Sequence, residues 1–287
     1  MEVKQLGNTN VMIPEIGLGF WRYQGGVEPI RKGIELGAFL LDTAEEYGTE
    51  KVVGLATADL RDRVFIATKV SGSHLRHDEV LRAADTSLKQ LAADVIDLYQ
   101  IHWPNSAVPI KETMRAMETL VDRGLVRFIG VSQFSTAQLR EARAAMSKYP
   151  IVSNQVRYNL NARRIELDLL RYCQKQQITI IAYTPLDDGR LTSRPDSTSS
   201  RGRRVLERIA EDAGKTMGQV ALNWCTSHPN VIAIPKSNSA DRTVENCLAS
   251  GWRLSPGQIN ALNEGFSWHI KRMRARVGNF LRAVRPK

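Results

Sequence analysis

The sequence lacks the features of several protein classes: paired cysteines, a long apolar run and a leader pattern. Its 287 residues include three cysteines, Cys173, Cys225 and Cys247. Their scattered spacing matches neither a zinc site nor a disulfide framework. No apolar run approaches the roughly 20 residues that span a membrane. The N-terminal segment also lacks the basic-then-apolar pattern of a signal peptide. We therefore expect a cytoplasmic protein without a membrane span.

Net positive charge is small over most of the chain and concentrated at its end. The formal net charge is +10, but residues 268–287 hold seven Lys or Arg and no acid, which leaves +3 for the rest. This weak charge on the body argues against nucleic acid as its partner. We predict one domain over residues 1–267 and a basic C-terminal tail or lid over 268–287. The apolar residues of this tail recur at helical spacing. The tail could therefore dock on the barrel near an active site, stay solvated, or contact anionic lipid or nucleic acid.

Apolar runs of strand length alternate with segments of helical periodicity along the chain. Adjacent apolar residues within the runs suit parallel strands that are covered on both faces. The pattern predicts an α/β fold, a (β/α)8 TIM barrel, with a doubly wound open sheet as the competing architecture. An N-terminal β-hairpin around residues 8–10 is expected to cap the barrel. The eight runs are Ile16–Gly19, Ala38–Leu41, Val64–Ala67, Val95–Ile101, Arg127–Val131, Ile151–Gln155, Ile178–Ala182 and Val231–Pro235.

Polar residues stand where these apolar runs end. In a parallel barrel the carboxyl ends of the strands form one rim, and chemistry gathers there. A purely structural rim would not require a carboxylate, an ammonium and an imidazole together. The rim residues are Asp42, Lys69, His102, Ser132 with Gln133, Asn154 with Gln155, Tyr183, and Lys236 with Ser237.

Four of the predicted rim and loop residues suit proton donation to an oxygen atom. Tyr47 is a weak acid with an ordinary pKa of about 10, which a nearby Lys69 ammonium would lower. Asp42 would balance the charge of Lys69, and His102 could polarise a carbonyl oxygen. A structural ion pair and a core histidine are the plainer alternatives. No third ligand accompanies Asp42 and His102 at a metal-site spacing, so no metal is predicted.

Six segments of the chain resemble the aldo-keto reductase family in the same order. They are "LDTAEEYGTE", "IATKV", "IDLYQIHWP", "NQVRYN", "IAYTPL" and "IPKSNSADRTVEN". The resemblance implies a (β/α)8 barrel that binds NADPH across its carboxyl-end rim and reversibly transfers a hydride to an aldehyde or ketone. It places the family's catalytic tetrad on Asp42, Tyr47, Lys69 and His102.

The same resemblance assigns cofactor contacts. It implies that Ser132, Gln133 and Gln155 contact the nicotinamide carboxamide and that the ring of Tyr183 stacks on the nicotinamide. Phosphate and adenosine contacts fall on Lys236, Ser237, Arg242, Glu245 and Asn246. Two cations near a helix start favour a 2′-phosphate, so NADPH is preferred and NADH is less favoured.

The chain departs from the family pattern at three places. Gln133 stands where the family has Asn, and Thr184 where Ser or Cys is common. The predicted loop at 187–203 lacks the glycine-rich pattern of a cofactor belt, which predicts fast cofactor release.

Trp21 and Trp103 follow strand runs and are expected to wall the substrate pocket, with core packing as the alternative.

The combined prediction is a cytoplasmic NADPH-dependent reductase with Tyr47 as general acid, acting on small carbonyl substrates with an apolar or aromatic body. A monomer is expected. The alternative is a nucleotide-sensing regulatory or binding subunit on the same barrel. A nucleic-acid binder that uses the tail is a weaker third interpretation.

Overall fold

The chain begins with the predicted hairpin, which covers one end of a barrel. The computed structural model describes residues 1–193 and 200–266. Strands β1 (Val3–Gln5) and β2 (Met12–Pro14) pair antiparallel, with Lys4 opposite Ile13. Lys4 donates hydrogen bonds from Nζ to the backbone oxygens of Thr226, His228 and Val231. The hairpin is therefore tied to the segment that leads into the last strand.

Eight parallel strands follow, and each pairs with its neighbour in chain order. The segment that leads into the first of these strands also pairs with the last strand. Ile16 forms a parallel β-bridge with Ala233, and Gly17 N donates to Ala233 O at 2.8 Å. This closure confirms the (β/α)8 barrel and excludes the doubly wound sheet. The strands are β3 (Leu18–Gly19), β4 (Leu40–Asp42), β5 (Phe65–Val70), β6 (Ile96–Ile101), β7 (Val126–Ser132), β8 (Ile151–Arg157), β9 (Thr179–Tyr183) and β10 (Val231–Ala233).

Helices surround the barrel, and their starts follow sequence signals. Ser135 caps α5: its side chain accepts from Gln138 N, while the Gln138 side chain accepts from Ser135 N. The helices are α1 (Glu28–Glu35), α2 (Glu50–Thr57), α3 (His77–Leu91), α4 (Ile110–Asp122), α5 (Thr136–Ala145), α6 (Leu169–Lys175), α7 (Arg201–Asp212), α8 (Met217–Thr226), α9 (Ala240–Cys247) and α10 (Pro256–Gly265).

The apolar core has an inner and an outer layer. The outer layer lies between strands and helices, and β5 is buried at all six positions because both of its faces are covered. The inner layer fills the barrel below the rim, where Leu6 and Ile13 of the hairpin enter it. Its other members are Leu40, Phe65, Ala67, Leu98, Val152, Ile181, Ile232 and Ile234.

Two sequence predictions fall partly or wholly outside the described residues. Within the predicted loop at 187–203, a 3-10 turn covers Asp187–Gly189 and α7 begins at Arg201, while 194–199 lie outside. The domain boundary at residue 267 and the basic tail at 268–287 also lie outside the described residues. In residues 1–193 and 200–266, no helix combines the length and apolarity needed to cross a membrane.

Truncating Leu6 tests the role of the hairpin as a plug of the barrel. Leu6 is fully buried in the inner layer, so Leu6→Ala should lower the free energy of unfolding by about 2–5 kcal/mol. Met12 lies on the same hairpin with 48% of its surface exposed, so Met12→Ala should change stability little. Urea unfolding measures both. Equal losses would show that the hairpin does not plug the barrel.

Candidate active site

Asp42 is the centre of a buried polar cluster at the rim. It ends β4 with its side chain inside the barrel, where it is buried. Its Oδ1 accepts from Lys69 Nζ at 2.6 Å, and its Oδ2 accepts from Gln155 Nε2 at 2.7 Å and Gln100 Nε2 at 3.1 Å. A buried carboxylate is tolerable only with such partners. Asp42 therefore joins the ends of four strands.

Lys69 is fully buried and is held by two acceptors. It lies on β5, and its Nζ donates to Asp42 and to the backbone oxygen of Thr43 at 2.7 Å. Burial lowers the pKa of Lys69, and the Asp42 charge opposes that shift. Because the two charges compensate each other, the pair behaves as one nearly neutral unit.

Tyr47 is brought over this pair by a tight turn. It ends the 3-10 turn Glu45–Tyr47, and Gly48 follows with φ +65, a conformation that favours glycine. Its ring centroid lies 4.9 Å from Lys69 Nζ, and its hydroxyl lies 3.2 Å from His102 Nε2. Four residues from three separate segments of the chain thus form one contiguous group.

The expected lowering of the Tyr47 pKa is absent. Burial raises the pKa of Tyr47 above its ordinary value, and the Asp42 carboxylate adds to the increase. Lys69 Nζ donates its hydrogen bonds to the Asp42 carboxylate and to the backbone oxygen of Thr43, so its positive charge is already compensated. Tyr47 is therefore fully protonated at neutral pH, as a proton donor must be.

His102 is neutral in this environment. It follows β6 and is only 7% exposed. Burial, and secondly the Lys69 ammonium, lowers the pKa of His102 to about 3. Its Nδ1 is buried without a hydrogen-bond partner among the described residues, and Glu46 Oε2 lies 3.8 Å away. The ring therefore has one nitrogen directed to Tyr47 and one that is unsatisfied.

Two tryptophans flank the Tyr47–His102 pair. The Trp21 ring packs edge-on against Tyr47 with centroids 5.0 Å apart, and it is 53% exposed. The Trp103 ring lies 4.6 Å from that of His102 and covers Gly72, where a Cβ would collide with the indole nitrogen. Trp21 is too exposed for a core residue, whereas Trp103 is half-buried.

The predicted carboxamide contacts lie beside the same cluster. Ser132 ends β7 and is buried, while Gln155 is already bonded to Asp42 through its amide nitrogen. Gln133 adopts φ +62, and its Nε2 donates to the backbone oxygen of His102 at 3.3 Å. Tyr183 ends β9, half-buried, and burial raises its pKa. The structure thus brings these residues to the rim around Asp42.

The predicted phosphate and adenosine contacts form a second group, at the closure of the barrel. Gly19 N donates to Pro235 O at 3.1 Å, and a Cβ at Gly19 would meet Ile234 O at 2.7 Å. Only glycine allows this approach, which places the loop after β3 beside the loop after β10. A pocket between them is lined by Phe20, Tyr23, Pro29, Ile30, Ser237 and Asn246, among others.

The side chains of this second group differ in their exposure and in the hydrogen bonds that they already form. Lys236 and Arg242 are exposed, and neither forms an ion pair with any residue that the structure describes. The Glu245 carboxylate accepts from Thr216 Oγ1 at 2.7 Å, and the Ser237 hydroxyl donates to Ser239 O at 2.8 Å. Lys236 Nζ donates to Asn238 Oδ1 at 3.4 Å, so the two cations are exposed charges without an acidic partner in the described residues.

Sequence reasoning missed three members of the site. Gln100 lies two residues before His102 on β6, so strand alternation could have placed it inside the barrel. Thr43 contributes only its backbone oxygen, which no side-chain pattern reveals. Glu46 precedes Tyr47 in the segment "LDTAEEYGTE", and no sequence pattern marks it. Only the geometry of the 3-10 turn brings it near His102.

Comparison with known proteins gives one consistent result. A family model described as the aldo/keto reductase family matches residues 15–265. Methylglyoxal reductase YeaE of Escherichia coli is 36% identical over 269 residues, which cover 90% of this chain and 92% of that protein. A thermostable aldo-keto reductase, Tm1743, solved with the inhibitor epalrestat, superposes with a TM-score of 0.86 at 40% identity over 92% and 99% of the two chains.

A second solved structure contains a nucleotide. An aldo-keto reductase from Klebsiella pneumoniae, solved in complex with NADPH, superposes with a TM-score of 0.84 at 36% identity. The match covers 92% of this chain and 95% of that one. The barrel fold is thus shared with these proteins.

The ionisation of His102 can be tested directly. Because its pKa is lowered to about 3, its ring should not titrate between pH 8 and 5 in histidine NMR spectra, with His102→Asn used for assignment. The unfolded chain binds this proton near pH 6.5, so His102 should reduce stability as the pH falls from about 6.5 towards 3. A titration midpoint near 6.5 in the folded protein would contradict the inferred burial effect.

Proposed function

The chain belongs to the aldo-keto reductase family, and from that premise we propose that it is an NADPH-dependent reductase that transfers a hydride to aldehydes or ketones, with Tyr47 as the general acid. The observation that carries this proposal is the contact of the Tyr47 hydroxyl with His102 Nε2 directly above the Asp42–Lys69 pair. This group combines a protonated acid, a neutral imidazole and a compensated ammonium. Such a set suits an oxygen atom that gains negative charge.

The residues at the rim fit NADPH. Ser132 and the carbonyl oxygen of Gln155 provide partners for the carboxamide, and Tyr183 provides an aromatic face beside them. Lys236 and Arg242 provide two free cations for the 2′-phosphate. The N-cap residue of α9, Ser239, makes no side-chain capping bond, so the first-turn N–H groups of that helix can meet an anion.

Each member of the tetrad has a separate task in the proposed reaction. When bound, NADPH supplies the hydride that the carbonyl carbon accepts. Tyr47 donates its hydroxyl proton to the carbonyl oxygen as negative charge develops there. Lys69 lies under the Tyr47 ring and supports it from below, and Asp42 keeps Lys69 in place and compensates its charge. His102 holds the Tyr47 hydroxyl in position and faces the incoming carbonyl.

The walls of the pocket suggest the substrate class. Trp21 and Trp103 present apolar aromatic surface on either side of the Tyr47–His102 pair, which favours aldehydes with an apolar or aromatic body. Because a methylglyoxal reductase is among the relatives, small dicarbonyls are included in the proposed range.

Tyr47→Phe tests the assigned acid. Removing the hydroxyl should lower kcat by about 10²–10⁴-fold, because the proton donor is lost while the ring is kept. NADPH consumption is measured with aliphatic, aromatic and dicarbonyl substrates, and NADPH binding is measured by fluorescence. Binding should stay close to that of the wild type.

Tyr172→Phe is the matched control, since Tyr172 lies on α6 and its hydroxyl accepts a hydrogen bond from Arg143. Its activity should be unchanged. A Tyr47→Phe enzyme that retains full activity would remove Tyr47 from the acid role. A wild-type protein that binds NADPH and reduces no carbonyl would instead favour a nucleotide-sensing subunit.

Arg242→Ala tests the preference for the 2′-phosphate. Loss of a charged hydrogen bond of about 1.5–3 kcal/mol should raise the KM for NADPH by roughly 10–100-fold and leave the KM for NADH almost unchanged. Arg115→Ala, an exposed arginine on α4, is the control and should alter neither value. Equal changes with both cofactors would place Arg242 away from the 2′-phosphate.

A further inference from the structure

Gly72 is a buried glycine beside the candidate active site, and another residue fills the place of its missing side chain. It lies two residues after the end of β5, and a Cβ built on it would overlap the indole ring of Trp103. The ring atom Cε2 would be 2.6 Å away, whereas Cβ atoms in proteins keep at least 3.0 Å from such neighbours. Nε1 and Cδ1 would be closer still. The indole therefore occupies the space of any side chain at position 72.

Backbone conformation does not require glycine at this position. The φ angle of Gly72 lies outside the left-handed region, in contrast to that of Gly48 in the turn that carries Tyr47. An alanine at position 72 would therefore meet no left-handed backbone strain. The contact with Trp103, and not the backbone, is what excludes a side chain there.

The main chain on both sides of Trp103 is anchored to β5 and its loop. His102 N donates to Val70 O at 2.9 Å, which continues the pairing of β6 with β5. Asn105 Nδ2 donates to Gly72 O at 2.8 Å. These hydrogen bonds fix the two loops relative to each other directly before and after the indole. A Cβ at position 72 would therefore displace the Trp103 ring, because the loops cannot separate without breaking them.

The position of this ring matters for the place where the substrate is proposed to bind. The centroid of the Trp103 ring lies 4.6 Å from that of His102, and His102 Nε2 lies 3.2 Å from the Tyr47 hydroxyl. Trp103 is half-buried, so part of its surface is accessible. The indole thus provides apolar surface next to the two residues that are proposed to meet the carbonyl oxygen. Gly72 determines how far this surface lies from them.

We propose that Gly72 is a specificity-determining residue: the space left by its missing side chain holds the Trp103 indole at the position beside His102 that admits carbonyl substrates with an aromatic body. The inference rests on the proposed function and names a residue that sets its substrate range. Gly72 acts through Trp103 and does not contact the reacting atoms.

The size of the effect follows from the fit of an apolar pocket. One methylene group gained or lost in such a pocket typically changes kcat/KM by about 10–200-fold. An alanine at position 72 would move the indole by a comparable amount. A bulky substituent that packs against the indole feels this change, whereas a methyl substituent is too small to depend on it.

Methylglyoxal and phenylglyoxal test the proposal, because they carry the same dicarbonyl group and differ in one substituent. Gly72→Ala should lower kcat/KM for phenylglyoxal about 10-fold relative to kcat/KM for methylglyoxal. Gly257→Ala is the matched control, since Gly257 lies in the first turn of α10, is exposed and has no positive φ. It should leave the ratio of the two kcat/KM values unchanged.

A second background shows whether Gly72 acts through the indole. In Trp103→Ala the ring is absent, so adding Gly72→Ala should change the substrate ratio little. A ratio in Gly72→Ala that equals the wild-type ratio, or shifts towards phenylglyoxal, would overturn the proposal. An equal loss in the Trp103→Ala background would do the same, because Gly72 would then act without the indole.

Urea unfolding covers the case in which Gly72→Ala does not fold. A folded double variant, Gly72→Ala with Trp103→Ala, would then show that the indole is what excludes the methyl group. A double variant that is also unfolded, beside a folded Trp103→Ala, would show that position 72 needs glycine for another reason and would overturn the proposal.

NMR of the indole N–H groups reads the ring position without turnover. The Trp103 Nε1–H resonance, assigned by its loss in Trp103→Ala, should move in Gly72→Ala and stay in place in Gly257→Ala. A resonance that does not move in Gly72→Ala would contradict the displacement of the ring. Because this measurement needs no substrate, a wild type that reduces neither dicarbonyl would count against the proposed function, while the contact between Gly72 and Trp103 is tested separately.

Discussion

The Lys69–Asp42 pair is the interaction on which the rest of the site depends. Both side chains are inside the barrel and shielded from water, and each charge would be costly alone. Asp42 satisfies Lys69 and also takes the amides of Gln100 and Gln155. The pair thus links the ends of β4, β5, β6 and β8. A rim built in this way has little freedom to rearrange.

Compensation between these charges also determines the protonation of their neighbours. Because Asp42 neutralises Lys69, the dominant effect on the other groups is burial, which disfavours their charged forms. The pKa of Tyr47 is raised and that of His102 is lowered, so both residues are neutral in the resting site. Tyr47 therefore keeps its proton at neutral pH.

Closure of the barrel explains how the second half of the site forms. Gly19 lets β3 approach the backbone after β10, so a loop from the start of the chain lies beside one near its end. Lys236 and Arg242 are exposed on one side of this junction, and Phe20 and Tyr23 are buried on the other. An elongated cofactor such as NADPH needs these two regions on the same rim as Asp42, and the parallel order of the strands provides that.

The sequence by itself determined the barrel and most residues of the candidate site. Parallel strands covered on both faces need adjacent apolar residues, so runs such as Val64–Ala67 were visible, and their polar ends marked Asp42, Lys69 and His102. Alternation along β5 also explains why Phe65, Ala67 and Lys69 point inward together.

Only the tertiary structure decided the direction of the Tyr47 pKa shift, because burial of the side chain is its main cause and the nearby Asp42 carboxylate adds to it. The same holds for Glu46 and Thr43, which reach the site through a turn and a backbone oxygen. Local sequence patterns record which residues are buried, whereas hydrogen-bond partners between distant segments are settled only when the strands close into a barrel.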